Sequence, residues 1–92
     1  LPHTRLETEV EKDGDRWLLR LTNTDSPAAF CVWVEDARPV DAAGGAFFDD
    51  NYLTLLPGET RQVAVTWHGV PEPARQLTIA GWNTDEITLP QA

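Results

Sequence analysis

The fold of this 92-residue chain is decided largely by one stretch, Phe48-Asp49-Asp50-Asn51-Tyr52-Leu53-Thr54-Leu55-Leu56-Pro57-Gly58-Glu59-Thr60-Arg61. An acidic corner leads into a short strand, a chain reversal and a second strand over residues 62–67. The ring of Pro57 holds its own φ at about −65°, and Gly58 can adopt the positive φ that a type II turn requires. The pattern predicts two strands joined as a β-hairpin within an all-β domain.

The rest of the chain repeats this alternation of short strands and turns. Leu6, Thr8 and Val10 alternate with charged residues, and Asp13-Gly14 gives a hairpin signal before the next run. The seven predicted strands cover residues 6–11, 16–21, 29–35, 52–56, 62–67, 76–82 and 86–89. No stretch has the helical period. The spacing predicts one β-sandwich domain of about seven antiparallel strands over residues 1–92.

The alternation also predicts which residues form the core. If the second and fifth principal strands are antiparallel neighbours, Trp17 at the start of one faces Trp67 at the end of the other. We expect the two indoles to lie within about 10 Å of each other on one face. Residues 36–45 form a connection with at most a short strand, which Val40 and the pair Phe47-Phe48 are expected to anchor.

Two tryptophans allow two interpretations. If Phe30, Val32 and Val34 point inward, Trp33 lies on the opposite face of its strand. It then either packs under the 36–45 connection or forms an exposed docking surface, since large exposed apolar areas mark interfaces. Trp82 presents the same choice.

The composition limits the partners of the domain. Fifteen acidic and seven basic residues give a formal net charge of −8, which disfavours nucleic acid and anionic membranes as partners. The single Cys31 cannot form an internal disulfide, and no Cys/His spacing predicts a metal site. The chain contains no Met, so we expect it to be a piece of a larger protein.

The paired carboxylates do not predict catalysis. Glycoside hydrolysis needs two carboxyl groups at a defined separation, but adjacent residues such as Asp49 and Asp50 point to opposite sides of an extended chain. No nucleophile triad or phosphate-binding loop is present either. We expect no catalytic residue, cofactor site or metal site in this chain.

Sugar binding is the alternative function that the sequence allows. Carbohydrate-binding sandwiches present exposed aromatic rings on which pyranose rings stack, with polar side chains alongside. The candidates here are Trp33, Tyr52 and Trp82, together with Asp50 and Asn51.

Three segments together carry a family resemblance. The stretch Asp50-Asn51-Tyr52 to Pro57-Gly58-Glu59, the earlier run Leu19-Arg20-Leu21-Thr22-Asn23-Thr24 and the closing run Leu77-Thr78-Ile79-Ala80-Gly81-Trp82-Asn83 stand in the expected order. They resemble the C-terminal immunoglobulin-like domains of glycoside hydrolase family two. The branch concerned contains exo-β-D-glucosaminidases, β-mannosidases and endo-β-mannosidases. Asp49 stands where the motif more usually has serine.

The resemblance implies a non-catalytic accessory domain. In that family the catalytic carboxylates lie in a TIM barrel elsewhere in the polypeptide, and none corresponds to a residue of this chain. The expected partners are the other domains of a parent glycosidase, and Trp33 and Trp82 are candidates for contact with those domains or with sugar. The Asp50 or Asn51 side chain should hold a backbone N–H, and Tyr52 should anchor the core. For the parent enzyme we expect a secreted or periplasmic location rather than the cytoplasm.

Overall fold

A computed structural model, which describes residues 1–90, shows two four-stranded antiparallel sheets. The strands are β1 (Leu6–Asp13), β2 (Arg16–Asn23), β3 (Ala29–Asp36), β4 (Gly45–Phe48), β5 (Leu53–Leu55), β6 (Thr60–His68), β7 (Leu77–Ala80) and β8 (Ile87–Leu89), with one 3₁₀ turn at Glu72–Ala74. The first sheet has the order β1-β2-β6-β4, and the second has the order β5-β3-β7-β8. Within residues 1–90 no helix is long and apolar enough to cross a membrane.

The topology is that of an immunoglobulin-like sandwich, as predicted, with eight strands rather than about seven. Apart from β5, the strand order corresponds to the four-plus-three arrangement of constant-type immunoglobulin domains. The strand missed by sequence reasoning is β4. Its four residues, Gly-Ala-Phe-Phe, show no clear apolar–polar alternation, so the local pattern gave little signal.

The core lies between the two sheets and contains the predicted pair of tryptophans. Trp17 and Trp67 are fully or almost fully buried, and their rings meet edge to face with centroids 5.2 Å apart. This confirms the predicted proximity. It arises because β2 and β6 are antiparallel neighbours in the first sheet, with Trp17 opposite Val65. The other large, fully buried apolar side chains within residues 1–90 are Leu19, Leu21, Val32, Val34, Leu55, Val63, Val65, Leu77 and Ile79.

The turn at Pro57-Gly58 forms as predicted, but the strands on either side of it do not form a hairpin. Gly58 has φ 76°, and the Glu59 N–H donates to the Leu56 carbonyl at 2.9 Å, as in a type II turn. However, β5 belongs to the second sheet and β6 to the first. The turn bonds to the end of β2, because Gly58 N–H donates to the Asn23 carbonyl and Asn23 N–H donates to the Glu59 carbonyl.

A bulge in β3 corrects the predicted orientation of Phe30. Ala29 pairs with Leu55 and Val32 pairs with Leu53, so one extra residue lies between these pairs on β3. Cys31, within the bulge, has φ 49°. Because the bulge shifts the alternation, Ala29 is buried in the core with Val32, while Phe30 is only half-buried. Val32 and Val34 point inward as predicted.

The connection between β3 and β4 is anchored differently from the prediction. Val40 is fully exposed and Phe47 is 62% exposed, so neither anchors it in the core. Phe48 does pack against the core, because it pairs with the buried Val65 and therefore shares its inward face. Arg38 holds the loop instead, by donating to the Ala43 carbonyl and to the Asp36 carboxylate.

Candidate functional site

The acidic corner at residues 49–52 carries the chain from the first sheet to the second. Its start is fastened to the first sheet by Asp49, whose carboxylate accepts a hydrogen bond from the Ala64 N–H at 2.7 Å. The Asp49 N–H in turn donates to the Ala64 carbonyl at 3.1 Å. Asp49 therefore extends the β4–β6 pairing by one residue, partly through its side chain.

The end of the corner is fastened to the second sheet by Asn51. Its Oδ1 accepts the Val34 N–H at 2.8 Å, and its Nδ2 donates to the Val34 carbonyl at 2.8 Å. Its Oδ1 also accepts the Tyr52 N–H at 3.0 Å. The side-chain amide thus takes the place of a backbone amide opposite Val34, where β5 has not yet begun. This confirms the expectation that Asp50 or Asn51 holds a backbone N–H at the strand entry.

Asp50 is also occupied by contacts within the domain. One carboxylate oxygen accepts the Asn51 N–H at 2.8 Å, and the other lies 3.3 Å from Arg61 Nη2. Because both side chains of this ion pair are about half exposed, water screens their attraction. Asp49 and Asp50 thus have different local partners, as expected of a structural corner.

The pKa of the Asp36 carboxyl group is lowered from its ordinary value. Burial by itself would raise the pKa of Asp36, but hydrogen bonds from the Arg38 side chain and backbone, together with the guanidinium charge, lower it overall. A lowered pKa favours the carboxylate form, which suits a structural ion pair. It is the opposite of the raised pKa that a glycosidase general acid requires.

Tyr52 does not anchor the core, contrary to the prediction. Its side chain is 74% exposed, and its backbone has φ 55°. The chain bends at Tyr52 so that Asn51 can reach Val34 while Leu53 enters β5 pointing inward. The prediction rested on the family resemblance and not on alternation, since a residue next to the inward Leu53 in an extended strand points outward.

The closing Gly81-Trp82-Asn83 segment braces the bulged start of β3. Trp82 N–H donates to the Phe30 carbonyl at 3.0 Å, and Asn83 Oδ1 accepts the Phe30 N–H at 2.9 Å. Asn83 Nδ2 donates to the carbonyls of Pro2 and Ala28. A Cβ on Gly81 would lie 3.1 Å from atoms of Phe30 and other neighbours, so the tight packing explains the glycine.

A buried asparagine that sequence reasoning did not identify as structural performs a similar role at the end of β2. Asn23 is fully buried, and its Nδ2 donates to the carbonyls of Pro27 and Leu55. Its Oδ1 accepts a hydrogen bond from the Thr4 hydroxyl at 3.0 Å. An asparagine next to a Ser-Pro loop suggests a turn, but only the tertiary contacts show that it joins four segments.

Three aromatic residues lie on or next to β3 and the strand ends beside it in the second sheet, and we call the surface that they form the aromatic face. Trp33 is half-buried. Because Val32 and Val34 on either side of it in β3 point inward, Trp33 points to the outer side of the sheet. Tyr52 precedes Leu53, the partner of Val32, and so lies beside Trp33 in the register. Trp82 is 69% exposed and hydrogen-bonded to β3 at Phe30.

The segments that build the aromatic face carry negative charge only. Residues 29–36, 49–56 and 77–90 contain no Lys or Arg, and their acidic residues are Glu35, Asp36, Asp49, Asp50, Asp85 and Glu86. Three of the six contact basic side chains from neighbouring segments: Asp36 contacts Arg38, Asp50 contacts Arg61, and Asp85 contacts His3. Within residues 1–90, no group of three or more His, Cys, Asp or Glu residues is arranged to hold a metal ion.

Comparison with known proteins places these features in a family. Residues 1–84 match the family described as the exo-β-D-glucosaminidase Ig-fold domain. Among solved structures, the chain is similar to the exo-chitosanase CsxA of Amycolatopsis orientalis, with a TM-score of 0.75 and 24% sequence identity. That match covers 99% of this chain but only 12% of the exo-chitosanase chain. No curated protein sequence matches this chain.

Proposed function

Because the chain belongs to the family of exo-β-D-glucosaminidase Ig-fold domains, we propose that it is a non-catalytic accessory domain of a multidomain glycosidase that acts on β-linked glucosamine. It would pack against the other domains of that enzyme. Of the activities suggested by the resemblance, the glucosaminidase type is the one named by the matching family, and the similar structure is described as an exo-chitosanase. Neither name supports a mannosidase.

The observation that carries this proposal is the use of the motif's polar side chains within the domain. Asp49 bonds to Ala64, Asn51 bonds to Val34, and Asn83 bonds to Phe30. A glycosidase site needs two carboxyl groups that face a sugar, one of them a proton donor. Here the motif instead joins the two sheets and braces the bulge in β3. These contacts suit a domain whose motif maintains its shape.

Activity measurements on the 92-residue chain test the non-catalytic part of the proposal. We expect no release of glucosamine from chitosan oligosaccharides above the buffer rate. Turnover that disappears on an Asp49→Asn or Asp50→Asn substitution would refute it.

The accessory part is tested in the full polypeptide that contains this chain. Deleting residues 1–92 should lower the melting temperature of the glycosidase, because packed interdomain contacts are lost. A melting temperature that is unchanged by the deletion would contradict packing against the other domains.

A further inference from the structure

We propose that the aromatic face binds oligosaccharides of β-linked glucosamine in their protonated, cationic form. The choice of sugar rests on the proposed function. The choice of surface rests on the exposure, bracing and charge of the residues that form it.

The first argument is the exposure of two large aromatic rings at residues next to the same strand, β3. Tyr52 and Trp82 are among the most exposed large hydrophobic side chains, at 74% and 69%. Both connect to β3 on either side of the half-buried Trp33. Exposed aromatic rings can cover the apolar face of a pyranose and attract a ligand cation through the ring quadrupole.

The second argument is the rigid support of both ring-bearing positions. Tyr52 adopts a backbone conformation that non-glycine residues rarely occupy, and Asn51 holds it there by accepting its N–H. Trp82 is held by its own N–H bond to β3 and by the adjacent Asn83. A surface fixed in this way loses little conformational freedom on binding, which favours affinity.

The third argument is charge complementarity. The segments of the aromatic face carry no Lys or Arg, and of their six carboxylates Glu35 and Glu86 are the two that neither contact a basic side chain within residues 1–90 nor, like Asp49, bond to the first sheet. Glu35 is exposed and lies two residues beyond Trp33, on the same side of β3 and about 7 Å further along the strand. A carboxylate next to aromatic rings attracts an ammonium group electrostatically, whereas a neutral hexose has no charge for it to attract.

The outer face of the first sheet is a poorer candidate for the same ligand. Its exposed acids on β1 face the cationic residues Arg16 and Arg20 on β2, and Glu9 lies 4.0 Å from Arg20. Its exposed aromatic ring is Phe47, on the four-residue strand β4. Phe47 therefore provides a matched control, an exposed ring on the opposite sheet.

The test is an NMR titration of the ¹⁵N-labelled 92-residue chain with two hexasaccharides. One is the hexamer of β-1,4-linked glucosamine, and the other is its fully N-acetylated, neutral counterpart. We expect shifts to cluster on Tyr52, Trp33 and Trp82. The cationic hexamer should bind at least about threefold more tightly at low ionic strength, and the difference should shrink in roughly 0.5 M NaCl.

Variants assign the contribution of each group. Trp82→Ala and Tyr52→Asn should each weaken binding of the cationic hexamer by about three- to fivefold. Asparagine is chosen at position 52 because it tolerates the positive φ. Glu35→Gln should lower the affinity for the cationic hexamer and leave the affinity for the neutral hexamer unchanged. Phe47→Ala should change neither affinity. Amide spectra of each variant verify that the fold is retained.

Three outcomes would overturn the proposal. They are the absence of shifts with either sugar, shifts centred on the first sheet, and equal losses for Phe47→Ala and Trp82→Ala. If no sugar binds, while deletion of the domain still destabilises the full glycosidase, the accessory role stands and the aromatic face is assigned to interdomain packing. If sugar binds but the deletion has no effect, the domain is a carbohydrate-binding module and the packing proposal fails.

Discussion

Replacing Asn51 with alanine should destabilise the domain far more than its half-buried position suggests. The substitution removes the partners of the Val34 N–H and carbonyl, both at 2.8 Å, and of the Tyr52 N–H at 3.0 Å. Leaving a buried backbone group unpaired costs about 1–3 kcal/mol, and partial access of water places this site near the lower end. We therefore expect a loss of about 2–4 kcal/mol, out of a typical total of about 5–14 kcal/mol for 92 residues.

Urea unfolding monitored by tryptophan fluorescence measures this loss, because Trp17 and Trp67 are buried and change environment on unfolding. The midpoint should fall by about 1–2 M with an unchanged m-value. The control is Asp50→Ala, which removes an exposed ion pair with Arg61 and an exposed hydrogen bond from the Asn51 N–H. Because water can replace both contacts, it should change stability by less than about 1 kcal/mol.

Asn51→Asp sharpens the test. Aspartate keeps an acceptor for the Val34 N–H but places a carboxylate oxygen, rather than an N–H donor, against the Val34 carbonyl. It should therefore also be destabilising, and low pH should restore part of the stability because the protonated carboxyl group can donate a hydrogen bond. If Asn51→Ala is no more destabilising than Asp50→Ala, the side-chain amide does not replace a backbone pair and the reasoning fails.

Four further substitutions test other parts of the fold. Gly58→Ala should lower the free energy of unfolding by about 1–2 kcal/mol because of its positive φ alone. Gly44→Ala should lower it by about 1–3 kcal/mol more, because the added Cβ would lie 2.4 Å from a backbone carbonyl oxygen. Chemical unfolding of both variants measures the difference. The folded-state pKa of Asp36 is lowered, so its stabilising effect is present above the ordinary value of about 3.9 and is lost as the pH falls through the lower folded value. The stability difference between wild type and Arg38→Met should therefore be full near neutral pH and shrink in acid, and a difference that grows in acid would contradict this assignment. Arg75→Met should lower the free energy of unfolding by about 2–3 kcal/mol, because the buried guanidinium donates to two backbone carbonyls that would lose their partner. A melting temperature within about 1 °C of the wild-type value would exclude that role.

Much of the fold could be read from the chain because the signals are local. Alternation in β2 and β6 placed Trp17 and Trp67 on inward faces, and the assumed antiparallel order then brought them together. The conformation of the Pro57-Gly58 turn follows from the φ preferences of those two residues alone. Sequence reasoning was also right to treat Asp49 and Asp50 as a structural corner.

The errors occurred where a residue's position depends on distant parts of the chain. Tyr52 was placed in the core on the strength of the family resemblance, but it precedes the inward Leu53 at the crossing between the sheets, and its side chain is exposed. Phe30 was placed inward because the extra residue in β3 leaves no local mark. The supposed hairpin failed for the same reason, since a tight turn can join strands of one sheet or of two.

The sequence by itself therefore determined the all-β class, the turns, the inward faces of the regular strands and the family resemblance. These properties depend on side-chain period and on the φ preferences of single residues, which act over a few positions. Only the tertiary structure decided that the Asp49–Glu59 motif passes from the first sheet to the second and back. It also decided that Tyr52 and Trp82 are exposed next to β3, the strand that carries Trp33. The physical reason is that hydrogen bonds between Asn51 and Val34 and from Trp82 to Phe30 join residues far apart in sequence, and those bonds fix the backbone from which the rings project.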